Sequence, residues 1–231
     1  MNENGAEAIR LEAVPALGGA DIRIGANHIQ ERHDLAMVAV ATPLGGDAAL
    51  KKALKAGLGL SMPSATISVV GDDARAVSAA PDQMLLVFAH AAPDAESHVQ
   101  ARLKGAGYTT DQTDSLVAIE TSGPDTIAAM ERLCPLDLHA DSFGTNAAGR
   151  TAMEHMAATI ICLGAAHFLL LVARSSGQSF LHAIETSYRN TVCIWLKPSK
   201  PRVCAKRTKA DVAMSVSVAS SASVDRAMAS G

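Results

Sequence analysis

The most apolar stretch of this chain, Ala157 to Ala173, is broken by Gly164 and His167. Those two residues leave runs too short to cross a bilayer, so the stretch reads as two paired strands rather than a membrane helix. The residues just beyond it are equally informative. Arg174 ends the second run, and Ser175-x-x-Gln178 has the form of a capping box. Phe180, Leu181, Ile184 and Tyr188 then recur at helical spacing and form one apolar face. Upstream, Gly149 leads into a strand pair that begins near Arg150. This part of the chain is therefore built as strands covered by an amphipathic helix.

The same grammar extends upstream. Asp21 to Ile24 alternates like an edge strand, and Leu35 to Val40 suits a buried one. Pro43-Leu44-Gly45-Gly46 supplies a turn, and Asp47 to Leu58 has helical spacing of Ala48, Leu50, Leu54 and Leu58 opposite Lys51, Lys52 and Lys55. Thr66 to Val70 and Ala74 to Ser78 flank the turn Gly71-Asp72-Asp73 as a hairpin. Gln83 to Phe88 is continuously apolar, as expected of a central strand covered on both faces. A helix is expected over Asp94 to Lys104, a strand over Leu116 to Thr121, and a second helix from Pro124 to about Leu133, capped by Ser122. The reading divides the chain into an arm (1–30), an α+β domain (31–190) and a low-complexity basic tail (191–231) expected to be disordered.

Composition narrows the function. Aromatic residues are 3% of the chain, with one Trp, two Tyr and four Phe, which leaves few stacking platforms for nucleic acid. Residues 1–190 carry 13 Lys and Arg against 21 Asp and Glu, whereas 191–231 carry 7 against 2. The tail's charges are dispersed without an amphipathic stripe, so neither nucleic acid nor membrane is an expected partner. Cys134, Cys162, Cys193 and Cys204 lack zinc-site spacing and suit reduced thiols in a cytoplasmic protein. The polar start Met1-Asn2-Glu3-Asn4 lacks the features of an export signal.

Catalytic motifs are missing where chemistry would need them. Gly57-Leu58-Gly59 ends a helix instead of opening one, which excludes dinucleotide binding there, and no phosphate-binding loop occurs. His182 and Glu185 lie three apart on the last helix, and Glu154 adjoins His155 on an expected strand. Both pairs have the ingredients of a metal or acid-base site, but the spacing is generic and adjacent strand residues point to opposite faces. Arg174 stands at the junction of sheet and helix, where it can hold a carboxylate across an interface or make a local salt bridge.

Several segments carry a resemblance. They are Pro81-Asp82-Gln83-x-Leu85-Leu86, Ser122-Gly123-Pro124, Cys134-Pro135-Leu136-Asp137-Leu138, Arg150-Thr151-x-Met153-Glu154-His155, and Arg174-Ser175-Ser176 with Ser179-Phe180-Leu181-His182. In this order they resemble the gamma subunit of heterotetrameric sarcosine oxidase, within the aminomethyltransferase-like superfamily. Met84 stands where that family often has Trp. The resemblance implies an α+β, folate-binding-like fold of two packed α+β subdomains. It also implies a small, non-catalytic subunit of a complex that demethylates sarcosine to glycine. The larger alpha and beta subunits and a small delta subunit would be its partners. FAD, FMN, NAD and tetrahydrofolate would sit on those partners and none on this chain. Arg150, Glu154, His155, Arg174 and His182 are the expected interface residues, with no catalytic or metal-binding residue. The alternatives left open are the equivalent subunit of N-methylglutamate dehydrogenase and a stand-alone folate-dependent one-carbon transferase.

Overall fold

A computed structural model describes the backbone of residues 14–196 and the side chains of 14–193. Residues 197–231 of the expected tail, with its Met214 to Val218 alternation and Cys204, lie outside the described residues, as do the first 13 residues of the arm. The first six residues assigned to that tail, 191–196, are instead helical, continuing the helix that carries Tyr188.

Gln83 to Phe88 sets the architecture. Its strand, β6 (Gln83–Ala89), alternates two buried faces, with Met84, Leu86 and Phe88 on one and Leu85 and Val87 on the other. A strand buried on both sides needs a layer above and below. One layer is helical: α1 (Asp47–Leu58) and α2 (Ala95–Leu103) bring Leu50, Leu54, Leu58, Val99 and Leu103 against Met84, Leu86 and Phe88. Each such side chain contributes about 1.5–3 kcal/mol when fully buried. The bounds of α1 match the sequence pattern, and Gly59 ends it at φ 66°, donating its N–H to the Leu54 carbonyl. Ala48, counted with the apolar stripe, is exposed.

The other layer is a second sheet. The five-stranded antiparallel sheet has the order β4 (Val69–Val70), β5 (Ala74–Ala80), β6, β3 (Leu35–Ala41) and β7 (Tyr108–Asp111). The six-stranded antiparallel sheet has the order β1 (Asp21–Ile24), β2 (Asn27–Glu31), β8 (Leu116–Ser122), β11 (His167–Ala173), β10 (Met156–Gly164) and β9 (Ala148–Met153). Met37, Val77, Leu85 and Val87 of the first meet Ala118, Ile161, Leu169 and Leu171 of the second in an apolar inter-sheet layer. On its outer face the larger sheet buries Ile119, Ile160, Phe168 and Leu170 under α3 (Thr126–Met130) and α4 (Gly177–Leu196). The result is helices, sheet, sheet, helices. The smaller sheet is continuous in sequence, and the larger one is assembled from strands on either side of it. β1 and β2, placed in the arm by the sequence reading, belong to this larger sheet.

Several local expectations are corrected. Thr66 to Val70 contributes only the two residues of β4 to the ladder, because Ile67 bridges to Ala147 of the other half. The helix after Pro124 begins at Thr126 and ends at Met130. Ser122 does not cap it; Asn27, buried in β2, accepts from the Asp125 N–H at 2.9 Å and donates to Asp125 Oδ2 at 2.9 Å. Gly123, at φ 131°, permits this approach, since a Cβ there would lie 2.6 Å from Asn27 Cα. The Ser175-x-x-Gln178 box does not close either. Residues Arg174–Ser176 form a 3-10 turn, and Gln178 Nε2 donates to the Ala16 carbonyl at 3.3 Å. No helix among the described residues is long and apolar enough to cross a membrane.

Candidate functional site

The five expected interface residues occupy three places. Arg150, exposed on β9, donates from Nη1 to the Ala79 carbonyl at 2.5 Å and ties the two sheets together. Glu154 and His155 are the tip of the β9–β10 hairpin rather than part of a strand. Met153 pairs with Met156, and the two residues between them have φ 45° and 67°. Both side chains are exposed, and the Glu154 N–H donates to the Leu133 carbonyl at 3.2 Å.

Arg174 leaves the end of β11. It donates from Nη2 to the Val14 carbonyl at 3.1 Å and stands 3.5 Å from Asp114, whose side chain is fully exposed. Such a pair is worth about 0–1 kcal/mol. His182 is exposed on α4, where Glu185 pairs with Arg189 at 3.3 Å instead. Among the described residues no hydrogen bond or ion pair joins any two of the five expected residues.

The chain's most connected charges were not legible as a set. Asp34, Arg32, Glu120 and His167 come from the β2–β3 link, β8 and β11, and they form one network. Arg32 donates to Asp34 from Nε and Nη2, both at 2.7 Å, and to Glu120 from Nη1. Glu120 also meets His167 Nε2 at 2.7 Å. Burial alone would raise the Glu120 pKa; hydrogen bonds from His167 and Arg32 outweigh it and hold the carboxyl below its usual range. The hydrogen bond from Arg32 likewise depresses Asp34, and Asp34 with Glu120 pushes the Arg32 guanidinium further up. Beside this network a cleft of about 490 Å³ opens between the sheet ends, lined in part by Arg32, Met37, Leu116, Ala118, Asp114 and Arg174.

This arrangement fixes charge and orients an imidazole. Among the described residues no Ser, Thr or Cys hydrogen-bonds to His167, so no nucleophile-base pair is formed there. Cys134 and Cys162 are buried, and burial pushes both thiols up, away from the reactive thiolate. Tyr188, also buried, donates to Thr126 Oγ1 at 2.9 Å, and its oxygen bonds Thr121 Oγ1. That trio locks α4 to β8 and α3. No group of three or more His, Cys, Asp or Glu among the described residues is placed to hold a metal ion.

The layered order and the two antiparallel sheets define an α+β fold of the aminomethyltransferase type. No protein-family model matches the sequence, and no curated protein matches it. Solved structures share the fold. A chain of the heterotetrameric sarcosine oxidase from Corynebacterium sp. U-96, in complex with pyrrole 2-carboxylate, superposes with a TM-score of 0.64 at 21% identity, over 76% of this chain and 91% of that one. The glycine cleavage system aminomethyltransferase T from Bartonella henselae gives 0.52 at 10% identity, over 69% of this chain and 45% of that one. At these identities the likeness is one of fold.

Proposed function

We propose that this chain is a small, non-catalytic subunit of a sarcosine-oxidase-type complex, equivalent to its gamma subunit. One observation carries the reading: the fold spans 91% of the matched oxidase chain but 45% of the transferase.

In this reading Arg150, Glu154, His155, Arg174 and His182 meet larger alpha and beta chains and a small delta chain. Those chains hold FAD, FMN, NAD and tetrahydrofolate, and together they demethylate sarcosine to glycine. Co-expression with the other three chains tests it. The expected result is one assembly that oxidises sarcosine only when complete. Sarcosine turnover or a stoichiometric flavin on the isolated chain overturns it.

The transferase-like fold favours a second reading, a free-standing folate-dependent one-carbon transferase. Titration of the isolated chain with tetrahydrofolate separates the two, since tight binding belongs to the transferase alone. Exchanging the larger chains for those of N-methylglutamate dehydrogenase distinguishes the amine substrate.

A further inference from the structure

A second cleft, of about 390 Å³, opens between the loop that follows α3 and the segment Thr66–Ile67. Its apolar lining comes from Leu136 and the buried Phe143 on the loop, and from Ile67, which is 46% exposed. The start of β9 lines it too, and there the Ala148 N–H donates to the Thr66 carbonyl at 2.8 Å. A Cβ on Gly149 would lie 3.1 Å from Leu136 Cδ1, so the loop closes onto β9 over a glycine.

One charge lines this cleft, the Asp137 carboxylate, and every other lining residue is uncharged. The loop fixes its position: the His139 N–H donates to Oδ1 at 3.0 Å, and the Ser142 hydroxyl donates to Oδ2 at 2.6 Å. The hydroxyl first, and then the N–H, hold the Asp137 carboxyl below its usual range, so it is ionised at neutral pH. Among the described residues no Lys, Arg or His forms an ion pair with it. The His139 imidazole stands 3.5 Å from Asp141 instead. A fixed anion without a counter-charge, in the wall of an otherwise uncharged cleft, selects a cation with an apolar body.

We propose that this cleft binds a small organic monocation, an alkylammonium whose nitrogen pairs with Asp137 and whose aliphatic body lies against Leu136, Phe143 and Ile67. Charge complementarity selects the ammonium. The lining offers no cation to a carboxylate, so an amino acid is rejected: its own anionic end would lie unpaired near Asp137. The site does not depend on the oxidase reading, which gives this chain no ligand, and its test uses none of the oxidase chains.

The test titrates the full-length ¹⁵N-labelled chain with n-butylammonium chloride at constant ionic strength and follows the amide resonances of Gly144, Ala148 and Gly149. Saturable shifts are expected at these amides and none at Asp82, an exposed acid outside the cleft. Asp137→Asn should weaken butylammonium binding about threefold to fivefold, the scale of an exposed ion pair, and leave the weaker binding of 1-butanol unchanged. Ile67→Ser should weaken both ligands with Asp137 intact. Glycine should give no saturable shift. The proposal is overturned if butylammonium gives no saturable shift at the cleft, shifts Asp82 equally, or binds Asp137→Asn as well as the wild type. Glycine binding as tightly as butylammonium, or binding indifferent to Ile67→Ser, overturns it as well.

Discussion

Replacing Glu154-His155 by Asn-Gly should stabilise the isolated chain, because the β9–β10 turn now runs against the preference of its own residues. The register leaves those two residues alone at the tip, at φ 45° and 67°. A two-residue hairpin turn of this hand selects Asn-Gly, since a larger side chain at positive φ crowds the backbone. The left-handed conformation costs about 1–2 kcal/mol per residue, or about 2–4 kcal/mol for the pair. Against this, the new Gly loosens the unfolded chain by about 0.4–1 kcal/mol, and Asn relieves only part of its own strain. The net gain is about 1–2 kcal/mol, a rise in Tm of roughly 2–8 °C for a domain of this size. Among the described residues neither exposed side chain makes a hydrogen bond that the exchange would sacrifice, and the Glu154 N–H bond to Leu133 is kept by Asn. Urea unfolding followed by circular dichroism reads the gain as a higher midpoint at unchanged slope. An unchanged or lower midpoint refutes the strain argument. If the tip is an interface element, the stabilised variant also assembles less well with its partners.

Two further outcomes rest on the polar ties. Tyr188→Phe leaves Thr121 and Thr126 without their shared buried partner and should cost about 1–3 kcal/mol in urea unfolding; wild-type stability would mean that the trio is incidental. The depressed carboxyls of Glu120 and Asp34 add stability that is present above the ordinary carboxylate range and lost as pH falls through their lower folded values. Glu120→Gln should therefore cost about 1–2 kcal/mol at neutral pH, between the exposed and buried limits for ion pairs. It should also flatten the acid limb of a stability-pH curve, and an unaltered limb would count against the network.

What the sequence disclosed was local. Leu50, Leu54 and Leu58 mark α1 because one buried stripe decides a helix, and the unbroken apolarity of β6 announces its two covered faces. Gly164 and His167 fall where β10 passes into β11. Asn27 supplies the cap expected from Ser122, across a separation of 98 residues that no window reveals. Arg32 and Glu120 are 88 residues apart, and only the pairing of β2 with β8 makes them neighbours. The Glu154-His155 turn carries none of the usual Gly or Asn signals, so its two residues pass for strand. At Ser175 and Gln178 the pattern is that of a cap, but contact with Ala16 prevails. Of the five expected interface residues, Arg174 alone lines the cleft.

The nesting of one sheet inside the other bears on synthesis. The inner sheet, drawn wholly from residues 35–111, has every strand it needs soon after its last residue leaves the ribosome. β1 and β2 emerge earlier yet must wait for β8, so Ile29 stays wet while the middle of the chain folds. Phe168 and Leu170 find their cover only when Tyr188 has been made. A nascent chain that stalls before α4 thus has both sheets but leaves the outer face of the larger one open and greasy, the species that chaperones exist to shield.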